Sequence, residues 1–374
     1  MAQRSTDAGR LERLYRRYAE RDARTFGSPV YAAICAGLAD DPARGSLALA
    51  APPGFRIPNA LLSAVHRLLL SGVRDPLAGY YPTVAGDAAR SVDEGLYPAF
   101  AAFVDRHDDA LRELIATHAT QTNEVGRSAL VLPALALAAG AEPLAIVEIG
   151  SSGGLNQLLD RFRYRIGDAT VGDPTSPVDV ACEVRGELLP PVPDPLPAIA
   201  WRAGIDRSPI DVTRQEAADW LRAQVWPEHR DRMATLEAAI SLARSIRPRV
   251  VRGEAVEGVG ALAREAPAEA RLVVVSTSVL VYLEPARRRL LVDELRSIAA
   301  ERAQGAWLVT CEPEDVLADL ELDVGRSGVD LPELNALASC HVRPDGSLDA
   351  RLLALCHPHG RWMRWLDPAT ARRA

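Results

Sequence analysis

The sequence predicts an α/β protein in two parts, a helical N-terminal cap domain over about residues 1–140 and a sheet domain over 141–374. Three observations predict it. In the N-terminal part apolar residues recur at three- and four-residue spacing, with almost no β-branched alternation. From Leu144 onward, short apolar runs alternate with helix-length segments, the pattern of a parallel sheet covered on both faces. The first of these runs ends in a glycine-rich turn, Glu148-Ile-Gly-Ser-Ser-Gly-Gly154, that feeds the next helix. A chain of 374 residues also exceeds the usual size of one core, which favours two modules.

Taken in order, Leu11, Leu14, Tyr15 and Tyr18 form an apolar stripe, and the arginines beside them read as a solvated helix face. Ser28-Pro29 supplies a cap and a first-turn proline for a helix over Val30 to Leu38. Leu61, Leu62, Val65, Leu68 and Leu69 mark another helix, opened by Pro58 and closed by Gly72, and a third is expected from Tyr97 to His118. Between them lies the turn-rich Asp75-Pro-Leu-Ala-Gly-Tyr-Tyr-Pro82. Tyr80 and Tyr81 are candidates for substrate contact, although roofing a core is the commoner role for such a pair.

Strands are expected over Leu144 to Ile149, Ala198 to Ile205, Arg249 to Arg252, Leu272 to Val281 and Ala306 to Thr310. Ser208 to Arg247 is long enough for two helices. The helix after Glu284-Pro285 should turn Leu290, Leu291, Leu295 and Ile298 inward and Arg287 to Arg289 partly outward. A proline-rich stretch, Asp173 to Pro197, surrounds the strand Val178 to Val184 and reads as part of an insertion at about residues 165–197. In the tail, Leu348 to Cys356 and Arg361 to Leu366 should pair antiparallel about His357-Pro-His-Gly360.

Composition narrows the partners. A net charge of −7 argues against a surface that neutralises many phosphates, so nucleic acid is not expected. Five cysteines without a C-x-x-C pair fit a reducing cytoplasm. The N-terminus lacks an apolar signal core, and the longest apolar run, Ala129 to Ala141, is too short to span a bilayer and contains Pro133. No membrane contact is expected either; nothing in the sequence indicates an oligomeric state.

The glycine turn carries the chemistry. A phosphate loop would need G-x-x-x-x-G-K-[ST] and a dinucleotide fingerprint G-x-G-x-x-G, whereas the glycines here are Gly150, Gly153 and Gly154. Gly150-Ser-Ser152-Gly-Gly154 does satisfy G-x-S-x-G, the nucleophile elbow of α/β-hydrolases. Against a serine hydrolase stand the helical region upstream, where that fold needs strands and an oxyanion loop, and the lack of a marked acid.

Val147-Glu148-Ile-Gly150-Ser-Ser152-Gly-Gly154 resembles the first-strand motif of class I S-adenosylmethionine-dependent methyltransferases, acid-x-G-x-G-x-G, with Ser152 in place of the middle glycine. Further pieces follow in that superfamily's order. Gly204-Ile-Asp206-Arg207 resembles the second-strand end, where an acid accepts the ribose hydroxyls. Arg252-Gly253-Glu254-Ala255 is similar to the third-strand end, where an acid meets the adenine amino group. Ser276 opens a stretch similar to the fourth-strand end of small-molecule methyltransferases. The resemblance implies a Rossmann-like methyltransferase sheet binding S-adenosyl-L-methionine through Glu148, Gly150, Ser151, Ser152, Gly154, Asn156, Asp206, Arg207, Gly253, Glu254, Ala255 and Ser276. It covers roughly Leu144 to Thr310. More closely, Gln121-Thr-Asn-Glu-Val-Gly-Arg127, Val225-Trp-Pro-Glu228 and His357-Pro-His-Gly360 look like a bacterial, largely actinobacterial family of unknown function.

The polar run Gln121-Thr-Asn-Glu124 with Arg127 either lines the mouth of the site, with Asn123 and Arg127 on the substrate, or is an ordinary solvated helix start capped by Ser128. If the methyl acceptor needs a general base, Glu124, His357 and His359 are the candidates. His357-Pro-His359 lacks a third ligand at a recognisable spacing, so no metal is expected. The expectation is methyl transfer to a small acceptor held between the two domains. The alternatives are a serine hydrolase using Ser152 and a non-catalytic Rossmann-like binding protein.

Overall fold

A computed structural model describes residues 2–52, 55, 57–121, 123–140, 142–320 and 334–371, with side chains from residue 9. The chain divides into two compact units, Met1–Thr122 with Thr213–Ala234, and Asn123–Val212 with Thr235–Ala374.

The first unit is helical because its apolar positions lie on single faces. Helix Pro29–Ala39 starts where Ser28 Oγ accepts the Tyr31 N–H at 3.3 Å and Pro29 fills the first turn. Helix Pro58–Leu70 buries Leu61, Leu62, Val65 and Leu69. The single helix expected from Tyr97 to His118 is two, Leu96–Arg106 and Asp108–Thr117. His107 leaves the helical region between them, and Asp108 and Asp109 open the second helix, where acidic residues suit the positive end of the dipole. Tyr80 and Tyr81 are core residues of this unit. The Tyr80 hydroxyl donates to Asp93, and the Tyr81 ring packs on His66 and Tyr31.

Among the described residues the second unit holds eleven strands: β1 Leu144–Ile149, β2 Arg163–Ile166, β3 Ala169–Gly172, β4 Asp179–Arg185, β5 Ile199–Asp206, β6 Val250–Arg252, β7 Arg271–Thr277, β8 Ala306–Glu312, β9 Asn335–Val342, β10 Leu348–Cys356 and β11 Trp362–Trp365. They form one sheet in the order β3-β2-β4-β11-β10-β9-β8-β7-β1-β5-β6. The block β8-β7-β1-β5-β6 is parallel throughout. β9 and β10 continue it antiparallel beyond β8, and β10 pairs with β11 across the expected tail turn. The protein is thus α/β, with a large, mostly parallel sheet and an N-terminal helical region.

Within the parallel block the chain lays down β1, steps outward through β5 and β6, then returns to β7 and β8 on the other side of β1. The order reverses between β1 and β7, and the crevice outside the carboxyl ends of such a pair is where open sheets take ligands. Helix Arg127–Ala138, placed with the N-terminal region by the sequence reading, lies in this second unit and packs on β4, β7, β8 and β9.

Two expectations are corrected. The run Leu272 to Val281 stops being a strand at Thr277, because Ser278 turns to φ +55° and the next two backbone N–H groups, of Val279 and Leu280, donate to a side chain of β8. Leu290 faces outward, 51% exposed, while Arg288 is buried with its guanidinium on the Leu280 carbonyl and Asp319. The buried face of helix Pro285–Ala300 runs Arg288, Leu291, Val292, Leu295, Ile298, Ala299, and Leu290 falls off that stripe.

Candidate functional site

The glycine turn leaves β1 with three left-handed residues, Gly150 at φ +65°, Ser152 at +53° and Gly154 at +71°. A Cβ on Gly150 would stand 2.3 Å from a methyl of Val279, so that glycine is demanded by the turn's packing on the segment after β7. Every backbone N–H of residues 150–155 has an acceptor inside the protein. Gly150 and Ser151 donate to the Ile205 carbonyl at 2.8 and 3.3 Å, and Gly154 to the Ser151 carbonyl at 2.7 Å. Ser152 N–H donates to Asp206 Oδ2 at 2.8 Å. Gly153 and Leu155 N–H both donate to the Asn123 carboxamide oxygen, at 3.1 and 3.2 Å. Asn123, a candidate for substrate contact, splints the turn through its carboxamide oxygen.

The acids at the strand ends differ in their surroundings. Asp206, the last residue of β5, accepts Ser152 N–H on one oxygen and Ser208 N–H, at 2.8 Å, on the other, and is 7% exposed. Glu148 on β1 is buried, and desolvation followed by the neighbouring charge of Asp206 pushes its carboxyl up to about 8, against a smaller opposing pull from Arg127. At neutral pH it holds its proton. Glu254 lies exposed at the start of helix Ala255–Glu265 in an ion pair with Arg207 at 3.0 Å. Gly253 joins this end of β6 to Asp206 by donating its N–H to the Asp206 carbonyl at 2.9 Å.

Beneath the turn is a small cavity, about 10 Å³, lined by Arg127, Glu148, Asn156, Gln157, Val275 and Thr277 among others. It lies at the β1/β7 reversal. Three of its lining side chains end in buried oxygens without a hydrogen-bond partner: Glu148 Oε2, Asn156 Oδ1 and Gln157 Oε1. The amide orientations follow from their other ends, since Asn156 Nδ2 donates to the Glu124 carbonyl and Gln157 Nε2 to the Arg249 carbonyl, which can only accept.

The tail turn meets the Asn123–Arg127 segment. Arg127 Nε donates to the Pro358 carbonyl at 2.8 Å and Nη1 to the Thr277 carbonyl at 3.2 Å. A Cβ on Gly126 would sit 2.5 Å from the His359 carbonyl oxygen and 3.2 Å from Glu124 Oε1. The three base candidates therefore lie on two segments in contact, Glu124 on one and His357 and His359 on the other. His357 Nδ1 accepts the His359 N–H at 3.0 Å, so its neutral ring carries the proton on Nε2. Thr122 of this motif lies outside the described residues. Tyr80 and Tyr81 belong to the helical unit.

Ser152 Oγ is buried and has no hydrogen-bond partner, so no histidine activates it. Ser151 Oγ is likewise buried without a partner. The Ser276 hydroxyl is spent on Glu312 at 2.8 Å. Among the described residues no group of three His, Cys, Asp or Glu side chains could hold a metal ion, and no helix is long and apolar enough to cross a membrane.

Two site residues escaped the sequence reading. Gln157 lies outside every motif that the sequence reading singled out. Glu312 ends β8 fully buried, its Oε1 accepting Ser276 Oγ, Val279 N–H at 2.8 Å and Leu280 N–H at 3.0 Å, and burial raises its pKa. An acid before a proline at the end of an apolar run, Thr310-Cys-Glu312-Pro313, was the available signal.

The model of a family described as "Uncharacterized protein conserved in bacteria (DUF2332)" matches residues 12–365. No curated protein matches the sequence. Among solved structures, the CcbJ methyltransferase from Streptomyces caelestis is similar at 15% identity over 66% of this chain and 79% of that one, with a TM-score of 0.22, too low to carry an argument.

Proposed function

The chain belongs to the bacterial family DUF2332, and we propose that it binds S-adenosylmethionine at the carboxyl ends of β1, β5 and β7 and transfers its methyl group to a small molecule. The observation that carries this reading is the closed turn. With all six N–H groups of residues 150–155 satisfied internally, the turn offers nothing to a phosphate, the usual ligand of a glycine turn at a helix start. What this end of the sheet carries instead is side-chain oxygen: Asp206 at the end of β5 and the unpartnered oxygens of Glu148, Asn156 and Gln157. They suit a phosphate-free nucleoside that carries hydroxyls and positive charge, and S-adenosylmethionine is such a ligand.

Asp206 stands at the end of β5, where the resemblance puts the acid that accepts the ribose diol, and its two oxygens are oriented by the N–H groups of Ser152 and Ser208. When bound, the sulfonium supplies an electrophilic methyl group. The chain's own part is to orient the acceptor in line, exclude water and, for a hydroxyl or carbon acid, take a proton. Of the three base candidates, His357 has its Nδ1 occupied by the His359 N–H.

The test is a calorimetric titration of the folded protein with S-adenosylmethionine and S-adenosylhomocysteine, repeated with Asp206→Ala. We expect saturable one-site binding by the wild type and at least tenfold weaker binding by the variant, ~1.4 kcal/mol or more. No binding by folded wild type, or equal affinity in the variant, overturns the assignment.

A further inference from the structure

Apolar surface is concentrated where β7 gives way to helix Pro285–Ala300. Among the described residues five large apolar side chains are exposed, and three of them, Val281, Tyr282 and Leu290, fall within residues 281–290, with Tyr282 at 80%. Scattered singly, such side chains need no explanation, but a group of them does. Pro285 and Ala286, exposed between them, continue the stripe along the chain. Ala286, Leu290 and Leu320 line a groove of about 380 Å³ together with Arg289, Asp293 and Arg296.

The turn that opens this stripe is firmly held. Glu312, fully buried, accepts the N–H groups of Val279 and Leu280 at 2.8 and 3.0 Å, and the buried Arg288 donates to the carbonyls of Leu280 at 2.9 Å and Val281 at 3.4 Å. Buried charges are costly to keep. Here they fix the backbone that displays Val281 and Tyr282, so little loop ordering is left to be lost when a partner arrives. A preorganised, exposed tyrosine is the kind of residue that anchors protein interfaces.

We propose that this stripe is the contact surface for a second copy of the chain, with two Pro285–Ala300 helices packed antiparallel across a twofold axis near Leu290. The charges favour a copy over an unrelated partner. Glu284 and Arg296 lie six residues either side of Leu290, and Arg289 and Asp293 two either side of Leu291, so antiparallel pairing about one centre sets opposite charges against each other at both positions. A twofold interface requires such self-complementarity. Asp293 also pairs with Arg296 of its own helix at 2.9 Å. The helix is ~24 Å long, and one face of it covers less than the ~800 Å² per partner of a standard interface, so the dimer should have micromolar affinity. The proposal does not depend on the methyl-transfer reading.

The test is sedimentation velocity of the full chain over about 1 to 200 µM, which brackets such an affinity. We expect wild type to pass from monomer to dimer across that range and Leu290→Asp, a change at an exposed position, to remain monomeric. Arg289→Asp and Asp293→Arg each bring like charges together and should each weaken self-association at least tenfold. An equimolar mixture of those two variants restores opposite charges across the axis and should form a heterodimer. Wild type that stays monomeric at the highest concentration overturns the proposal, as does a dimer that Leu290→Asp leaves intact. A mixture that associates no better than either variant alone overturns it too, because the contact would then lack the charge pairing that the twofold requires.

Discussion

Glu148→Gln should flatten part of the protein's pH–stability profile. The native carboxyl titrates at about 8 against an ordinary value of 4.5, chiefly because burial disfavours its charge. Between those values the native state holds a proton that the unfolded chain has released, so the unfolded state binds fewer protons and stability falls as pH rises. The stabilising state is the protonated one; it is fully present below the unfolded value and lost as pH climbs through the native value. Each pH unit in that window costs ~1.4 kcal/mol. Over the two units from about pH 5.5 to about pH 7.5, the wild type should lose ~3 kcal/mol relative to Glu148→Gln, which keeps the shape and cannot ionise. Urea unfolding of both proteins at several pH values measures this, and taking the difference cancels every other titrating group. Parallel profiles would mean that Glu148 ionises normally, and the account of a neutral carboxyl under the turn would fail.

Two further substitutions test the turn and its support. Ser152→Gly should raise the urea midpoint, by ~1 kcal/mol net, since it relieves a left-handed serine worth ~1–2 kcal/mol and an orphaned buried hydroxyl against the ~0.5–1 kcal/mol entropy cost of glycine; a loss of stability would mean that the hydroxyl has an essential partner. Glu312→Gln weakens the single oxygen that accepts three donors, so amide hydrogen exchange at Val279 and Leu280 should quicken by a factor of about 10, and unchanged rates would show that the segment after β7 holds its shape without the charge.

The parallel block was legible because its strands are continuous apolar runs, and burial on both faces leaves no other use for such runs as Leu272-Val-Val-Val275. Asp206 was reached through the resemblance to the methyltransferase motif order, which puts an acid at the end of the second run. The outer strands were harder. β2 and β3 are four residues each, too short to show alternation, and β9 is built largely of small residues, Asn335-Ala-Leu-Ala-Ser-Cys340, with little strand signal. The site's internal wiring could not be read at all. That Asn123 bonds Gly153 and Leu155, that Gln157 reaches the Arg249 carbonyl and that Glu312 clamps the segment after β7 are contacts between residues far apart in the chain, and periodicity carries no information about them.

Those distant contacts decide what the glycine turn is for. Read as a motif, residues 150–154 suggest a cradle of free N–H groups waiting for an anion. In the folded chain Asn123 and Asp206 occupy the N–H groups that such a ligand would use, and the glycines are there so that the turn can lie close to Val279, Val212 and Val250. The electrostatic sense of the crevice is thereby reversed. A turn with its donors unspent would attract phosphate, whereas this one, splinted by a carboxamide and a carboxylate and backed by Glu148 and Glu312, presents oxygen. A serine can replace the middle glycine for the same reason. On the methyl-transfer reading no ligand phosphate has to approach the backbone there, so Ser152 needs only to adopt the left-handed conformation, and its side chain is buried.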